Sequence, residues 1–210
     1  MPNLTELEQS RLNDGREYRS IVMEARDDEF VVEGYATTFN QPYLLWGDKE
    51  VRVYEQIASG AFDDCDMQDV IMQYNHLGRV FARTRNNTLQ LTVDGTGLKI
   101  RATLGGTDLG KQVYEEIKGG YTDKMSMGFR VEADERTEVR DASSGIWIVT
   151  RTITKVKKLY DVSAVSMPAN DMTSISARML ADGAIEAAAA ERLRRENKKQ
   201  KIKTMLEVFR

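Results

Sequence analysis

Residues 89–104 read LQLTVDGTGLKIRATL, and this stretch decides the class of the fold. LQLTV (89–93) and LKIRATL (98–104) each alternate apolar and polar side chains, the period of a strand with one buried face. They are joined through Asp94-Gly95-Thr96-Gly97. Asp-Gly between alternating segments predicts a β-hairpin, with the glycine supplying the positive φ of a tight turn.

Working outward, GTDLGKQVYEEIKGG (106–120) predicts a helix. Thr107 or Asp108 would cap it, Leu109, Val113 and Ile117 recur at four-residue spacing, and Gly119-Gly120 stops it. Upstream, SIVMEA, the polar RDDE and FVVEGYATTF (20–39) predict a hairpin or two neighbouring strands. RVYEQI (52–57) is a further strand, SGAFDDC (59–65) a short helix capped by Ser59, and DVIMQYNH (69–76) a buried strand emerging at an edge. Downstream, MSMGFRVEA (125–133) returns to strand, DASSG (141–145) turns, and IWIVTRTITKV (146–156) pairs back. LYDVSAVSM (159–167) is the last strand, closed by Pro168. The expected architecture is α+β: roughly eight short strands in a β-rich, closed or barrel-like body flanked by helices. Strand crossovers are too few for a doubly wound sheet.

The chain has 210 residues, 41% hydrophobic and 30% charged, the profile of a soluble protein. No apolar run approaches a membrane span, and MPNLTELEQSRLNDGREYRS lacks the apolar centre of a signal peptide, so the expected compartment is a cytoplasm. The single cysteine, Cys65, can close no intramolecular disulfide and reads as a partly buried small residue. The net charge of -3 is uneven: residues 191–210 carry eight basic and three acidic side chains, a local +5 that leaves -8 on the remainder. EAAAAERLRRENKKQKIKTMLEVF is rich in helix formers, with Ile202, Met205, Leu206 and Phe209 on one stripe. The expected organisation is a polar N-terminal extension over 1–19, a principal domain over 20–180 and a basic helical or disordered tail over 181–210.

Several chemistries are poorly supported. Gly105-Gly106-Thr107-Asp108-Leu109-Gly110-Lys111-Gln112 approaches a phosphate-binding loop, but Gln112 stands where a magnesium-binding hydroxyl is required. A glycine-rich turn entering a helix explains it. One histidine, one cysteine and scattered carboxylates offer no metal-ligand spacing, so no metal and no cofactor is expected. Asp27-Asp28 and Asp63-Asp64 sit where turns and helix starts favour acids.

A hydroxyl nucleophile remains. In MSMGF, Met125, Met127 and Phe129 share one strand face, while Ser126 and Gly128 share a nearly bare one. Serine attacks only when a base takes its proton, and that base needs a group to orient it. His76 is the only imidazole in the chain. Asp161 lies inside the apolar run LYDVSAV, where a carboxylate needs a partner. Each residue also has a plain reading: His76 as a satisfied edge residue, Ser126 as a small strand residue, Asp161 bonded to a backbone amide or an arginine.

Five segments occur in one order: VEGYATTFNQPY (32–43), EQIASGAFDD (55–64), YNHLGRVFARTRNNTLQLTVDGTGLKIRATL (74–104), YTDKMSMGFRV (121–131) and LYDVSAVSMPAN (159–170). Together they resemble the prohead protease family of tailed bacteriophages, typified by phage HK97, whose fold is related to the herpesvirus assemblin proteases. The resemblance spans about residues 30–178. It implies a serine endopeptidase that cleaves scaffold or major capsid protein segments, and itself, during procapsid maturation. It also implies self-association and a place in the host cytoplasm inside the immature procapsid. No membrane partner is expected from the lack of a long apolar run, and the net charge of -3 makes no global case for nucleic acid, which the basic tail alone, without interleaved aromatics, would favour least among its readings. By the same resemblance Ser126 is the nucleophile, His76 the general base and Asp161 the third member. Gly128 leaves room for substrate main chain beside the hydroxyl, and the oxyanion would be held either by main-chain amides around Gly128 or by an arginine-held water. The family more typically carries glutamate at the third position, and assemblins histidine; aspartate is one methylene shorter. The tail lies outside the match and reads either as an anchor to scaffold or coat protein or as a solvated end. The competing function is a non-catalytic capsid-assembly module that has kept the fold.

Overall fold

The computed structural model describes residues 16–26, 30–166 and 182–208. Among them, ten strands build one mixed sheet: β1 (Arg16–Arg26), β2 (Val31–Thr38), β3 (Tyr43–Gly47), β4 (Val51–Ile57), β5 (Ile71–Tyr74), β6 (Leu77–Arg83), β7 (Leu89–Val93), β8 (Gly97–Thr103), β9 (Lys124–Arg140) and β10 (Trp147–Val165). Two α-helices accompany it, α1 (Asp108–Lys118) and α2 (Asp182–Val208).

The main path runs β3-β4-β10-β9-β1-β2-β8-β7, with β5 beside β10 and β6 beside β5. Its ends, β3 and β7, do not pair with each other, so the sheet stays open and the expected barrel is wrong. Short strand-like segments in the sequence favour closure. In fact IWIVTRTITKV and LYDVSAV form one strand, β10, and β9 is 17 residues long. Beside this long antiparallel ribbon, β4 and β5 both run parallel to β10, against its first and last thirds. The two parallel neighbours belong to an α+β sheet, with α2 packed on one region.

The 89–104 hairpin forms, with Val93 opposite Leu98. Its turn works differently from the reading above. The positive-φ glycines are Gly78, Gly120 and Gly145, so Gly95 turns without that conformation. Asp94 holds the loop instead: its carboxylate accepts from the amides of Thr96 at 2.8 Å and Gly97 at 3.0 Å. Those bonds keep the carboxyl below its usual range. The glycine that matters is Gly97, where a Cβ would lie 2.0 Å from the Thr37 carbonyl oxygen of β2.

Thr107 caps α1 by accepting from the Gly110 amide at 3.0 Å. The buried face is Gly110, Val113, Tyr114 and Ile117, while Leu109 of the expected stripe is 39% exposed. Gly110 brings the helix so close to the sheet that a Cβ would meet the Leu104 carbonyl oxygen at 2.1 Å. Close packing therefore accounts for a glycine of the phosphate-loop-like stretch. Residues 59–64 form successive turns rather than the predicted helix. The amides of Ala61, Asp63 and Cys65 donate three residues back, to Ala58, Gly60 and Phe62, so Ser59 begins no α-helix.

The main core lies between sheet and α1 and includes Met72, Leu98, Ile100, Met125, Met127, Phe129, Leu159 and Val162. A second cluster, Val51, Val53 and Val149 with Ala184 and Ala188, seats the start of α2. The side chains of 192–199 on that helix are exposed. Ile202, Met205 and Leu206 lie on α2, but their side chains, together with Phe209, residues 1–15 of the N-terminal extension and Asp27-Asp28, lie outside what the structure describes. Among the described residues no helix is long and apolar enough to cross a membrane.

Candidate active site

Strand β9 is an interior strand, with β10 on one side and β1 on the other over its first seven residues. Its alternation separates two environments. Met125, Met127 and Phe129 are fully buried in the core. Ser126 and Gly128 face the opposite side, Ser126 opposite Ser163 and Gly128 opposite Asp161 on β10.

Asp161 reaches that face through a register shift. Leu159 pairs with Phe129 and Asp161 with Gly128, so two steps on β10 match one on β9 and Tyr160 is the extra residue of a bulge. In an unbroken strand Leu159 and Asp161 would share a face. The bulge sends Leu159 into the core and Asp161 to the serine side, after which Val162 and Ala164 return to the core and Ser163 joins Asp161.

His76 comes from a tight turn. Tyr74 pairs with Leu77, leaving Asn75 and His76 as a two-residue hairpin loop with φ of 49° and 57°. Two successive positive φ values are the mark of a type I′ turn, which asparagine tolerates and histidine adopts more readily than most residues. The turn is fastened to the end of β10. The Asn75 amide donates to the Ala164 carbonyl at 2.8 Å, and its side-chain oxygen accepts from the Ser166 amide at 3.0 Å. Parallel pairing of β5 with β10 sets Ile71 beside Asp161, and the turn carries His76 past the strand end so that its ring folds back over the bare face.

The three side chains, distant in sequence, meet there. The Ser126 hydroxyl lies 2.8 Å from His76 Nε2, and His76 Nδ1 contacts Asp161 Oδ1 in a short ion-pair geometry. Asp161 Oδ1 also accepts a hydrogen bond from Ser163 Oγ at 2.7 Å. Relative exposures of 0% for Ser126, 8% for His76 and 5% for Asp161 put the chain in a low-dielectric setting, where a carboxylate persists only when partnered. With Asp161 ionised, Nδ1 carries the ring proton and Nε2 is left to accept from Ser126. A hydroxyl, a base and an orienting acid in hydrogen-bonded series form the arrangement that activates serine for acyl transfer.

The model of the family described as "Caudovirus prohead serine protease" matches residues 19–186. The chain belongs to that family. It is a serine peptidase of the Ser-His-Asp type, and its family role is proteolysis in capsid maturation. The chain is also similar to the solved bacteriophage T4 capsid assembly protease, gp21, at 13% identity and a TM-score of 0.42, covering 73% of this chain and 98% of that one. No curated protein matches it.

Ser126, His76 and Asp161, singled out in the sequence, are thus brought together in the protease, and Gly128 lies opposite the acid on the same face. Cys65 is half-buried, and burial pushes its thiol up to about 11, which suits a spectator. Asp64 is drawn into a surface ion pair with Lys155 at 3.4 Å, in keeping with a structural role. Sequence reasoning missed Ser163 and Asn75. Their signals were present in Asp-Val-Ser, whose two-residue spacing puts acid and hydroxyl on one strand face, and in Asn-His, two residues that accept positive φ.

Proposed function

We propose that Ser126 is the nucleophile, His76 the general base and Asp161 the orienting acid of an endopeptidase that cleaves scaffold segments of the major capsid protein, and itself, inside the immature procapsid. The observation that carries this reading is the continuous contact from Ser126 Oγ through both ring nitrogens of the only histidine to a buried carboxylate.

The chemistry follows from the atoms. His76 Nε2 takes the Ser126 proton as Oγ attacks a peptide carbonyl carbon. The imidazolium so formed is stabilised by Asp161, which stays ionised, and then hands its proton to the departing amine. Water, deprotonated by the same nitrogen, hydrolyses the acyl ester and restores the serine. A glycine at 128 leaves the ground beside the hydroxyl free of side-chain atoms, which suits close approach of substrate main chain.

The substrate assignment rests on family membership and on an acidic body with a basic helical end. The exposed stretch of α2, with Arg192, Arg194, Arg195, Lys198 and Lys199, suits attachment to an acidic scaffold segment during assembly. Co-expression with the capsid protein tests the whole reading. Ser126→Ala should fold, assemble with its partner and leave both capsid protein and protease at full length by mass spectrometry. Processing at the wild-type rate by that variant would overturn it.

A further inference from the structure

Ser163 has no part in proton transfer to or from the substrate, yet its hydroxyl is fully buried and aimed at the same carboxylate oxygen that meets His76. We propose that Ser163 is a positioning residue that locks the Asp161 carboxylate onto His76 Nδ1 and so fixes the tautomer the reaction requires; this rests on the triad reading above.

The need for such a lock arises from the acid itself. Aspartate has a single methylene between backbone and carboxylate, and its terminal torsion is broad, so backbone position alone does not fix where the oxygens point. Asp161 also follows a bulge, where the ladder with β9 is interrupted. Ser163 supplies what the bulge removes. Two residues along β10 it is back in register, opposite Ser126 on β9 and beside Gln73 on β5, and its hydroxyl points along the strand to Asp161 Oδ1 at 2.7 Å. The acceptor oxygen is then held by two donors at once, Ser163 Oγ and His76 Nδ1. Rotating it away would forfeit one charge-assisted hydrogen bond from each. The nucleophile and the lock are cross-strand neighbours, so the pairing that sets Ser163 opposite Ser126 also sets the distance from the acid to the serine.

The chain's single histidine makes the test direct, because ring nitrogen and ring N–H signals in histidine-labelled protein belong to His76 alone. In the wild type the nitrogen shifts should report one neutral tautomer, with the proton on Nδ1 and a low-field N–H resonance. In Ser163→Ala the resonance should broaden or vanish and the shifts should move towards a mixture of tautomers. Turnover should show kcat down about tenfold with KM within about twofold, since the lost interaction acts on the chemical step and not on substrate binding. Asp161→Asn supplies the reference for a ring without its carboxylate. A Ser163→Ala protein that keeps the wild-type tautomer and N–H resonance would overturn the proposal, whatever its melting temperature. Because the spectrum is taken on resting protein, that outcome is separate from failure of the triad, which Ser126→Ala reports by continued cleavage.

Discussion

Asp161→Asn isolates the electrostatic part of the mechanism, because it changes charge and hydrogen-bonding capacity while keeping shape. In the folded protein the carboxylate sits at 5% exposure against His76 Nδ1, with Ser163 as its second donor. As Ser126 attacks, the ring becomes an imidazolium, and the enzyme loses the attraction between that cation and the anion. Two unit charges about 4 Å apart at an effective dielectric constant near 20 interact by about 4 kcal/mol. A further loss of order 1 kcal/mol comes from exchanging a charge-assisted hydrogen bond for a neutral one. At about 1.4 kcal/mol per decade, the sum lowers kcat by about 10³ to 10⁴. Stability should change little, since the amide still bonds both neighbours and a buried charge is removed. The assay is single-turnover cleavage of capsid protein, followed by intact mass, alongside thermal unfolding of the same sample. A folded Asp161→Asn protein with kcat within tenfold of wild type would refute the idea that this carboxylate stabilises the transition state.

Other expectations address the frame and the excluded chemistries. Gly110→Ala must move α1 off the Leu104 carbonyl, which a Cβ would approach to 2.1 Å, and should cost about 2–4 kcal/mol in calorimetry. ATP with magnesium should leave the melting temperature of the wild type unmoved; a rise would revive the phosphate-loop reading. Asn75→Ala strains the turn under His76 and removes the clamp on Ser166, whereas Asn75→Gly removes the clamp alone, so the alanine variant should be the less active of the two. Equal activities would argue that backbone conformation at 75 is immaterial. With its thiol pushed up to about 11, Cys65 should be alkylated at pH 8 about 100-fold more slowly in the native protein than in the unfolded chain, with proteolysis intact. Loss of activity that tracks carbamidomethylation of Cys65 while His76 stays unmodified and the protein stays folded would contradict the serine assignment.

The legibility of this chain follows from which signals are local. Alternation gave the 89–104 hairpin, β1 with β2, the two faces of β9 and most of α1, because period two and period 3.6 are written residue by residue. Closure of the sheet was not written there. Whether β3 and β7 meet depends on pairings between distant strands, and the decisive fact, that 147–165 is one bulged strand, appears in sequence only as repeated changes of phase, with core residues Ile153, Val156, Leu159 and Val162 three apart where an unbroken strand would space them by two. Strands β3 and β6 were overlooked because their exposed, irregular residues carry little alternation. For the site, scarcity did most of the work: a lone histidine and one carboxylate in an apolar strand left few combinations. What brought them together was non-local, namely parallel pairing of β5 with β10 and a positive-φ turn. Ser163 stayed hidden since a serine in a strand has no distinguishing mark until its neighbour is known to be catalytic.

The most direct measurement is covalent. Trypsin cuts after Lys124 and Arg130, releasing the hexapeptide MSMGFR, which contains one hydroxyl side chain, that of Ser126. A serine-directed phosphonate applied to protease assembling with its capsid protein should add its mass to that peptide, halt processing in proportion, and fail to label His76→Ala. Processing halted with MSMGFR unmodified and the label on another serine would contradict the assignment of Ser126 as the nucleophile.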